Sequence, residues 1–293
     1  MTTQAVTLSK EREDHLKTAR MSFRLLSALG TEMTARIAVN RFLTPRKRPL
    51  SPKSQAIFEQ AYPINIPYGS RELATYVWDT YGPTVLLVHG WEANAGAMRG
   101  FVKPLLQQGF RVVAFDAPAH GSSTGKQTNI MDYGGAIQTV MQKVGPVDFM
   151  VAHSFGAAAT LTMLSRMPEH GVKKVVTLGA PSRLEDMLSV WTGFLGLSPE
   201  VKAAMERRIM DRVGMSMASL SVETAVSNLN IPGLIVHDQQ DQMVAFSNAE
   251  AIHHRWRESD LLPTEGLDHR GVLYNKEVLR TVAAFLAHET VLT

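Results

Sequence analysis

The 293-residue sequence predicts an α/β protein: a mostly parallel, doubly wound sheet with helices on both faces, a helical lid insertion and an N-terminal helical extension. Three observations lead to this prediction. From residue 61 onward, short apolar runs alternate with longer stretches of helical period, which is typical of a parallel sheet covered on both faces. One long connection without strand signals interrupts the alternation. A basic segment with helix-like spacing of its apolar residues precedes residue 61.

The first 60 residues are predicted to form an N-terminal helical extension and a basic linker, followed by the main domain at 61–293. Residues 10–60 hold eleven Lys and Arg against five Asp and Glu. Apolar residues recur there at roughly helical spacing, at Leu16, Phe23, Leu26, Met33 and Ile37. We expect a helical extension packed on the main domain and then a solvated loop. Contact of residues 10–60 with a membrane surface or a partner protein is the alternative.

In the main domain, seven apolar runs rich in β-formers are predicted to be strands. They are YPINIP, ELATYVW, TVLLVHG, RVVAFD, VDFMVAH, KKVVTLGA and IPGLIVHD. The stretches AGAMRGFVKPLLQQG, NIMDYGGAIQTVMQKVG and NKEVLRTVAAFLAHE are predicted to be helices. Almost fifty residues lie between Arg183 and Ile231, far more than a crossover helix needs. We therefore predict an inserted helical lid over 184–230, at the C-terminal edge of the sheet.

Composition and charge exclude several classes of protein. Apolar residues make up 45% of the chain and charged residues 19%, which is ordinary for a globular protein. A net charge of +3 gives no global reason to expect nucleic-acid binding. The chain has no cysteine, and its first residues lack the basic and apolar regions of a secretory signal. No stretch approaches the length of a transmembrane helix. We therefore expect a cytoplasmic protein.

Polar residues follow several predicted strands, at the edge where ligands of parallel sheets gather. His89-Gly90-Trp91 follows TVLLV, Asp116 follows RVVAF, and Ser154 follows VDFMVAH. Asp241 comes shortly after GLIVHD, and His269 lies before the final helix. A serine, an acid and a histidine are the residue types that nucleophilic catalysis by a hydroxyl requires, and here each follows a different strand signal. The sequence thus indicates a catalytic constellation.

Residues 61–293 resemble the α/β-hydrolase fold superfamily. Ala152-His153-Ser154-Phe155-Gly156 matches the G-x-S-x-G elbow with Ala at the first position, and the order Ser…Asp…His is the one the superfamily uses. His89-Gly90-Trp91 is similar to the oxyanion loop of the superfamily. Residues 116–122 are similar to the D-x-P-G-x-G-x-S stretch, with Ala at the usual Gly position and His120 after it. Four motifs in the correct order indicate the fold.

The resemblance implies a catalytic triad. Ser154 would be the nucleophile, His269 the general base and Asp241 the acid that fixes the imidazole tautomer. The backbone N–H groups of Trp91 and Phe155 would form the oxyanion hole. The alternatives are a helix-capping role for Ser154 and a plain surface position for His269.

Four other residues are alternatives to Asp241 as the acid of the triad: Asp238, Glu185, Asp186 and Asp268. The family pattern H-G-x-x-D-x-x-V favours Asp241 over these four.

Three aromatic or imidazole side chains near the elbow have less definite roles. Trp91 is expected to bind substrate as a wall of the acyl pocket, with a place in the core as the alternative. His89 and His153 are expected to hold their turns rigid and not to act as bases.

No HExxH pattern and no spaced set of carboxylates and histidines is present, so we predict no metal site. No glycine-rich nucleotide-binding motif is present either. The resemblance implies a serine hydrolase that cleaves a small-molecule ester or related acyl substrate through an acyl-enzyme, without a cofactor. The alternatives are a thioesterase, amidase, C–C hydrolase, lyase or cofactor-free haloperoxidase, or a non-catalytic ligand-binding member.

Overall fold

The computed structural model describes residues 17–18, 20–23, 25–26, 30–79 and 81–288. The chain divides into two compact units. The smaller comprises residues 1–43 and 183–220, and the larger comprises 44–182 and 221–293. The expectations for the start of the chain, including Leu16, lie outside the described residues.

An eight-stranded sheet forms the centre of the larger unit, in the order β1-β2-β4-β3-β5-β6-β7-β8. The strands are β1 (Tyr62–Tyr68), β2 (Arg71–Trp78), β3 (Thr84–Val88), β4 (Arg111–Phe115), β5 (Phe149–His153), β6 (Lys174–Leu178), β7 (Gly233–Asp238) and β8 (Ser259–Thr264). Strands β3 to β8 pair in parallel, whereas β2 runs antiparallel to β1 and β4. The mostly parallel α/β architecture predicted from the sequence is confirmed.

The helices connect these strands and also build the smaller unit. In chain order they are α1 (Thr31–Phe42), α2 (Pro52–Phe58), α3 (Arg99–Gln107), α4 (Ile130–Val144), α5 (Phe155–Leu164), α6 (Leu184–Leu195), α7 (Pro199–Val213), α8 (Val222–Val226), α9 (Ser247–Arg255), α10 (Asp268–Gly271) and α11 (Lys276–Ala287). Short 3₁₀ turns cover Ala95–Met98 and Ala218–Leu220. Within the described residues, no helix combines the length and the apolar character that crossing a bilayer demands.

The central strands are buried along their whole length. Every residue of β3, β5 and β6 is buried, because continuous apolar runs such as TVLLV can be covered on both faces. Their carboxyl ends lie side by side, with Val88 paired to Ala152 and His153 paired to Leu178. The sheet therefore brings the residues that follow these strands to one edge.

Strand β8 was not among the seven predicted strands. It pairs only with β7 at the edge of the sheet and is half exposed. Its apolar residues are limited to Leu261 and Leu262, and it contains Pro263, which an edge strand tolerates because one side of its backbone needs no partner. The apolar signal was too short to predict a strand.

The smaller unit contains α1, α6, α7 and the second 3₁₀ turn. The rings of Phe23 and Phe42 pack edge-on against Trp191, with centroids 6.1 and 5.3 Å apart. Glu32 on α1 pairs with Arg207 and Arg208 on α7, at 3.0 and 2.8 Å. Aromatic packing and ion pairs thus join the N-terminal helix to part of the predicted lid.

The structure divides the chain at other points than the domain boundaries predicted from the sequence. Residues 44–60, predicted as part of the N-terminal extension, are grouped with the sheet, as are residues 221–230 of the predicted lid. The lid role of 184–230 stays a prediction.

Candidate active site

Ser154 lies in the turn between β5 and α5. Its backbone has φ 52° and ψ −126°, in a region that costs a non-glycine residue of order 1–3 kcal/mol. Its N–H donates to the carbonyl of Leu178 at 2.8 Å, which ties the turn to the neighbouring strand. Its hydroxyl makes no capping hydrogen bond to α5. The strained turn therefore holds the hydroxyl out from the helix that it begins.

His269 and Asp241 come from distant loops and meet at this hydroxyl. His269 lies in α10, after β8, and its Nε2 is 3.0 Å from Ser154 Oγ. Asp241 lies in the turn after β7, and its Oδ2 is 2.6 Å from His269 Nδ1. The side chains of His269 and Asp241 are 3% and 1% exposed. The structure thus brings together the three residues that the sequence suggested as a triad.

The environment of Asp241 favours an ionised carboxylate. Desolvation raises its pKa, but the close approach of His237, the hydrogen bond from His269 and the N–H of Val244 outweigh that effect. The pKa therefore lies well below its usual range. Oδ1 accepts the backbone N–H groups of Met243 and Val244 at 2.8 and 3.0 Å. These bonds also fix the orientation of the carboxylate.

The ionised carboxylate decides the tautomer of His269. A carboxylate only accepts, so Nδ1 of His269 must carry the proton that it donates to Asp241. The other nitrogen, Nε2, then has a free lone pair, and the Ser154 hydroxyl donates to it. This chain of hydrogen bonds can take the hydroxyl proton as Ser154 attacks an electrophile.

The four other suggested acids have different surroundings. The Asp238 carboxylate accepts hydrogen bonds from the Thr264 hydroxyl and the Leu267 N–H, both at 2.9 Å. It thereby joins the ends of β7 and β8. Asp268 is exposed, although it is the neighbour of His269 in sequence. Glu185 and Asp186 lie in the first turn of α6, in the smaller unit.

The two suggested oxyanion donors lie beside Ser154 and have free N–H groups. The N–H groups of Trp91 and Phe155 donate to no acceptor within the described ranges. Phe155 directly follows Ser154. A Cβ added to Gly90 would lie 3.0 Å from Ser154 Cβ, so the turn that carries Trp91 runs close to Ser154. Both N–H groups are therefore available to a ligand.

The elbow differs from the family pattern at Ala152, which is fully buried in β5 and pairs with Val88 and Thr177. Gly156, the last residue of the elbow, has less space for a side chain than Ala152. A Cβ added to Gly156 would lie 2.1 Å from the carbonyl oxygen of His89, so the first turn of α5 packs directly on the turn after β3. The sheet accommodates a methyl group at 152, whereas position 156 does not.

His89 and His153 contact backbone groups, as expected for residues that hold turns rigid. His153 Nε2 donates to the carbonyl of His269 at 2.9 Å, and its ring centroid is 4.7 Å from that of His269. Burial lowers the pKa of His153 to about 3, so it stays neutral. His89 Nε2 accepts the N–H of Ala117 at 3.0 Å, and burial holds its pKa well below the usual value.

Sequence reasoning missed His237, which is fully buried at the end of β7. Its Nε2 donates to the carbonyl of Val244 at 2.8 Å and lies 3.4 Å from Oδ2 of Asp241. The available signal was its position at the start of the acid pattern, four residues before Asp241. Among the residues that the structure describes, no group of three or more potential ligands could hold a metal ion.

Comparison with known proteins identifies the fold that carries this geometry. A family model described as alpha/beta hydrolase fold matches residues 83–207. In fold, the chain is similar to an esterase of Pyrococcus furiosus, with a TM-score of 0.65 and 20% identity over 83% of this chain and 98% of that one. The chain has the α/β-hydrolase fold.

Two curated relatives are similar in sequence. The pyrrolizixenacetamide deacetylase of Xenorhabdus hominickii is 24% identical over 192 residues, 60% of this chain and 71% of that protein. The serine hydrolase-like protein 2 of Homo sapiens is 27% identical over 182 residues, 55% of this chain. The chain spans just over half of the human protein, 56% of its length.

Proposed function

We propose that the protein is a serine hydrolase that forms an acyl-enzyme on Ser154. The observation that carries this proposal is the hydrogen-bonded chain from Asp241 through His269 to Ser154, with distances of 2.6 and 3.0 Å. The strained backbone of Ser154 supports it, because such strain persists where the surrounding structure enforces it and is common at active sites.

In the proposed mechanism, Ser154 Oγ attacks the substrate carbonyl while its proton passes to Nε2 of His269. Asp241 stabilises the resulting imidazolium. The oxyanion accepts the N–H groups of Trp91 and Phe155, and losing one such donor typically costs about 3–4 kcal/mol of transition-state stabilisation. The imidazolium then protonates the leaving group. Water attacks the acyl-enzyme through the same base and regenerates the Ser154 hydroxyl.

The substrate class that we propose is a small-molecule carboxylic ester. The structural neighbour from Pyrococcus furiosus is an esterase, which supports this class. The half-buried Trp91 ring lies edge-on to Phe155, with centroids 5.2 Å apart, and the two rings offer an apolar wall for an acyl group. We propose the lid role of residues 184–230 as part of the same function, since methionine-rich helices adapt to apolar ligands.

An amide is the second candidate substrate class. The relative from Xenorhabdus hominickii is named a deacetylase of an acetamide, which favours deacylation of an amide in this chain as well. A panel of acetyl esters, thioesters and amides with a shared leaving-group chromophore separates these classes. We expect ester turnover to exceed amide turnover, because the alkoxide leaves with less assistance from the imidazolium.

The test of the proposal is Ser154→Ala, compared with Ser165→Ala as a matched control. Ser165 ends the same helix, and its hydroxyl donates to the carbonyl of Thr162. We expect Ser154→Ala to abolish labelling by a fluorophosphonate probe and turnover of p-nitrophenyl acetate. Ser165→Ala should keep both within about twofold, since Ser165 is half-buried and lies at the far end of the helix from Ser154.

Unchanged labelling of Ser154→Ala would refute the assignment of the nucleophile. Absence of both labelling and turnover in the folded wild type would favour the non-catalytic, ligand-binding alternative.

A further inference from the structure

The turns after β3 and β4 are linked by two buried histidines, His89 and His120, which we call the histidine cross-brace. His89 belongs to the β3 turn and accepts a backbone N–H from the β4 turn, that of Ala117, at 3.0 Å. His120 belongs to the β4 turn and accepts a backbone N–H from the β3 turn, that of Glu92, at 3.1 Å. Each turn therefore supplies the acceptor that holds the other.

The remaining nitrogen of each ring fixes its tautomer. Nδ1 of His120 is 3.0 Å from the carbonyl of Pro118, and Nδ1 of His89 is 2.7 Å from the carbonyl of Gly90. A carbonyl only accepts, so both Nδ1 atoms carry the proton and both Nε2 atoms are acceptors. Both histidines must be neutral, because a protonated ring would point an N–H at a backbone N–H.

The surroundings keep His120 neutral. It is fully buried, and desolvation lowers its pKa to about 4. The hydrogen bond to Pro118 and the charge of Glu92 oppose this shift, and the charge of Lys47 adds to it. The rings of His89 and Tyr133 pack edge-on to it, with centroids 5.1 and 5.9 Å away.

The cross-brace acts on the two peptide groups that flank Trp91. The carbonyl of Gly90 and the N–H of Trp91 belong to one planar peptide group, and the hydrogen bond from His89 to that carbonyl orients the plane. The next peptide group contributes the N–H of Glu92, which His120 holds. Glu92 has φ 51°, a conformation that few non-glycine residues adopt without support.

We propose that His120, together with His89, is a positioning residue that aims the Trp91 N–H at the oxyanion of the acyl-transfer reaction. This inference rests on the proposed function. His120 does not touch the reacting atoms. It acts through the backbone of Glu92 and through its ring, whose centroid is 5.3 Å from that of Trp91. The proposal gives a role to a residue that the sequence motif left without one.

Two amide substitutions separate the functions of the two ring nitrogens. In His120→Gln the side-chain oxygen can reach the place of Nε2 and accept the Glu92 N–H. In His120→Asn the shorter side chain reaches only the place of Nδ1. We expect kcat for p-nitrophenyl acetate to fall by roughly 10–100-fold in the Asn variant, less than the full loss of an oxyanion donor. KM should stay within threefold, and the Gln variant should keep most of the activity.

Hydrogen exchange at the Glu92 amide supplies a readout that does not depend on catalysis. It should accelerate in the Asn variant and stay slow in the Gln variant. In the wild type, long-range ¹H–¹⁵N spectra should identify the Nδ1–H tautomer of His120, which requires no variant to fold.

Three outcomes would each overturn the proposal. They are an Nε2–H tautomer of His120, unchanged Glu92 exchange in the Asn variant, and equal kcat in the wild type and the Asn variant. An equal loss of kcat in the Gln and Asn variants, at unchanged thermal stability, would assign His120 to packing alone and would also overturn it. A wild type whose Ser154 is not labelled would instead refute the proposed function, and with it the oxyanion role. Faster Glu92 exchange in the Asn variant would still support the cross-brace.

Discussion

His269 and His120 are both buried histidines at the carboxyl edge of one sheet, yet their partners differ. His269 lies between a hydroxyl and an ionised carboxylate, so it can gain a proton while Asp241 stabilises the charge. His120 lies between a backbone carbonyl and a backbone N–H, so a second proton has no acceptor. The partners of a histidine, more than its burial, decide whether it can act as a base or only as a support.

The largest effect should come from breaking the carboxylate side of this comparison with Asp241→Asn. The amide can donate to Nδ1 of His269, so the ring would take the wrong tautomer and Nε2 would no longer accept the Ser154 proton. We expect kcat to fall by roughly 10³–10⁴-fold, as the tautomer argument requires for a triad acid.

Asp268→Asn is the matched control for this change, because Asp268 adjoins His269 but is exposed, and Asn tolerates its φ of 58°. It should keep kcat within about twofold. Steady-state turnover of p-nitrophenyl acetate by both variants checks the pair, and the reverse ranking would make Asp268 the acid.

A smaller effect should appear in the pH dependence of stability. In the folded protein the pKa of His120 is lowered from 6.5 to about 4, so between these values the unfolded chain binds a proton that the folded chain does not. The stability that neutral His120 contributes is fully present above pH 6.5, declines as the pH falls and is lost below about 4. At about 1.4 kcal/mol per pKa unit, neutral His120 contributes on the order of 3 kcal/mol to the free energy of unfolding.

Urea unfolding of the wild type and of His120→Gln at pH 7, 5.5 and 4.5 measures this term. The free energy of unfolding of the variant should decline less steeply with acidification, since Gln does not titrate. Equal slopes for the two proteins would contradict a depressed pKa for His120.

The smallest effect should come from His153, which supports His269 through one hydrogen bond. His153→Leu leaves the buried carbonyl of His269 without its donor, which typically costs about 1–3 kcal/mol of stability. We expect kcat to fall by less than tenfold, because Asp241 still orients the imidazole. His153→Gln, whose amide can donate to the same carbonyl, should keep most of the stability and most of kcat. Thermal melting and kcat of the two variants provide the measurement, and a Gln variant as impaired as Leu would exclude this hydrogen bond as the cause.

Several parts of the fold and of the candidate site could be predicted from local sequence. Continuous apolar runs such as TVLLV identify buried parallel strands because no face of those strands meets water. Ser154 stands out because a strand run ends abruptly at a small-residue turn. Strand β8 could not be predicted in this way, because an edge strand needs few apolar residues and its stability comes from pairing with β7.

The support around the site was less visible. His120 and His237 have ordinary sequence surroundings, and their roles depend on backbone groups 28 and 7 residues away. The sequence predicted scaffold roles for His89 and His153. Only the structure identified their partners, which are the Ala117 N–H for His89 and the His269 carbonyl for His153.

The sequence by itself determined the order of the seven apolar strands along the chain and the residue types at their ends, because both follow from local apolar period and turn chemistry. The tertiary structure decided which acid meets His269 and which nitrogen of each histidine accepts. It also decided that Ala is tolerated at 152 while Gly156 is pressed against a carbonyl. These outcomes depend on distances of a few ångströms between segments far apart in sequence, which only the packed sheet sets.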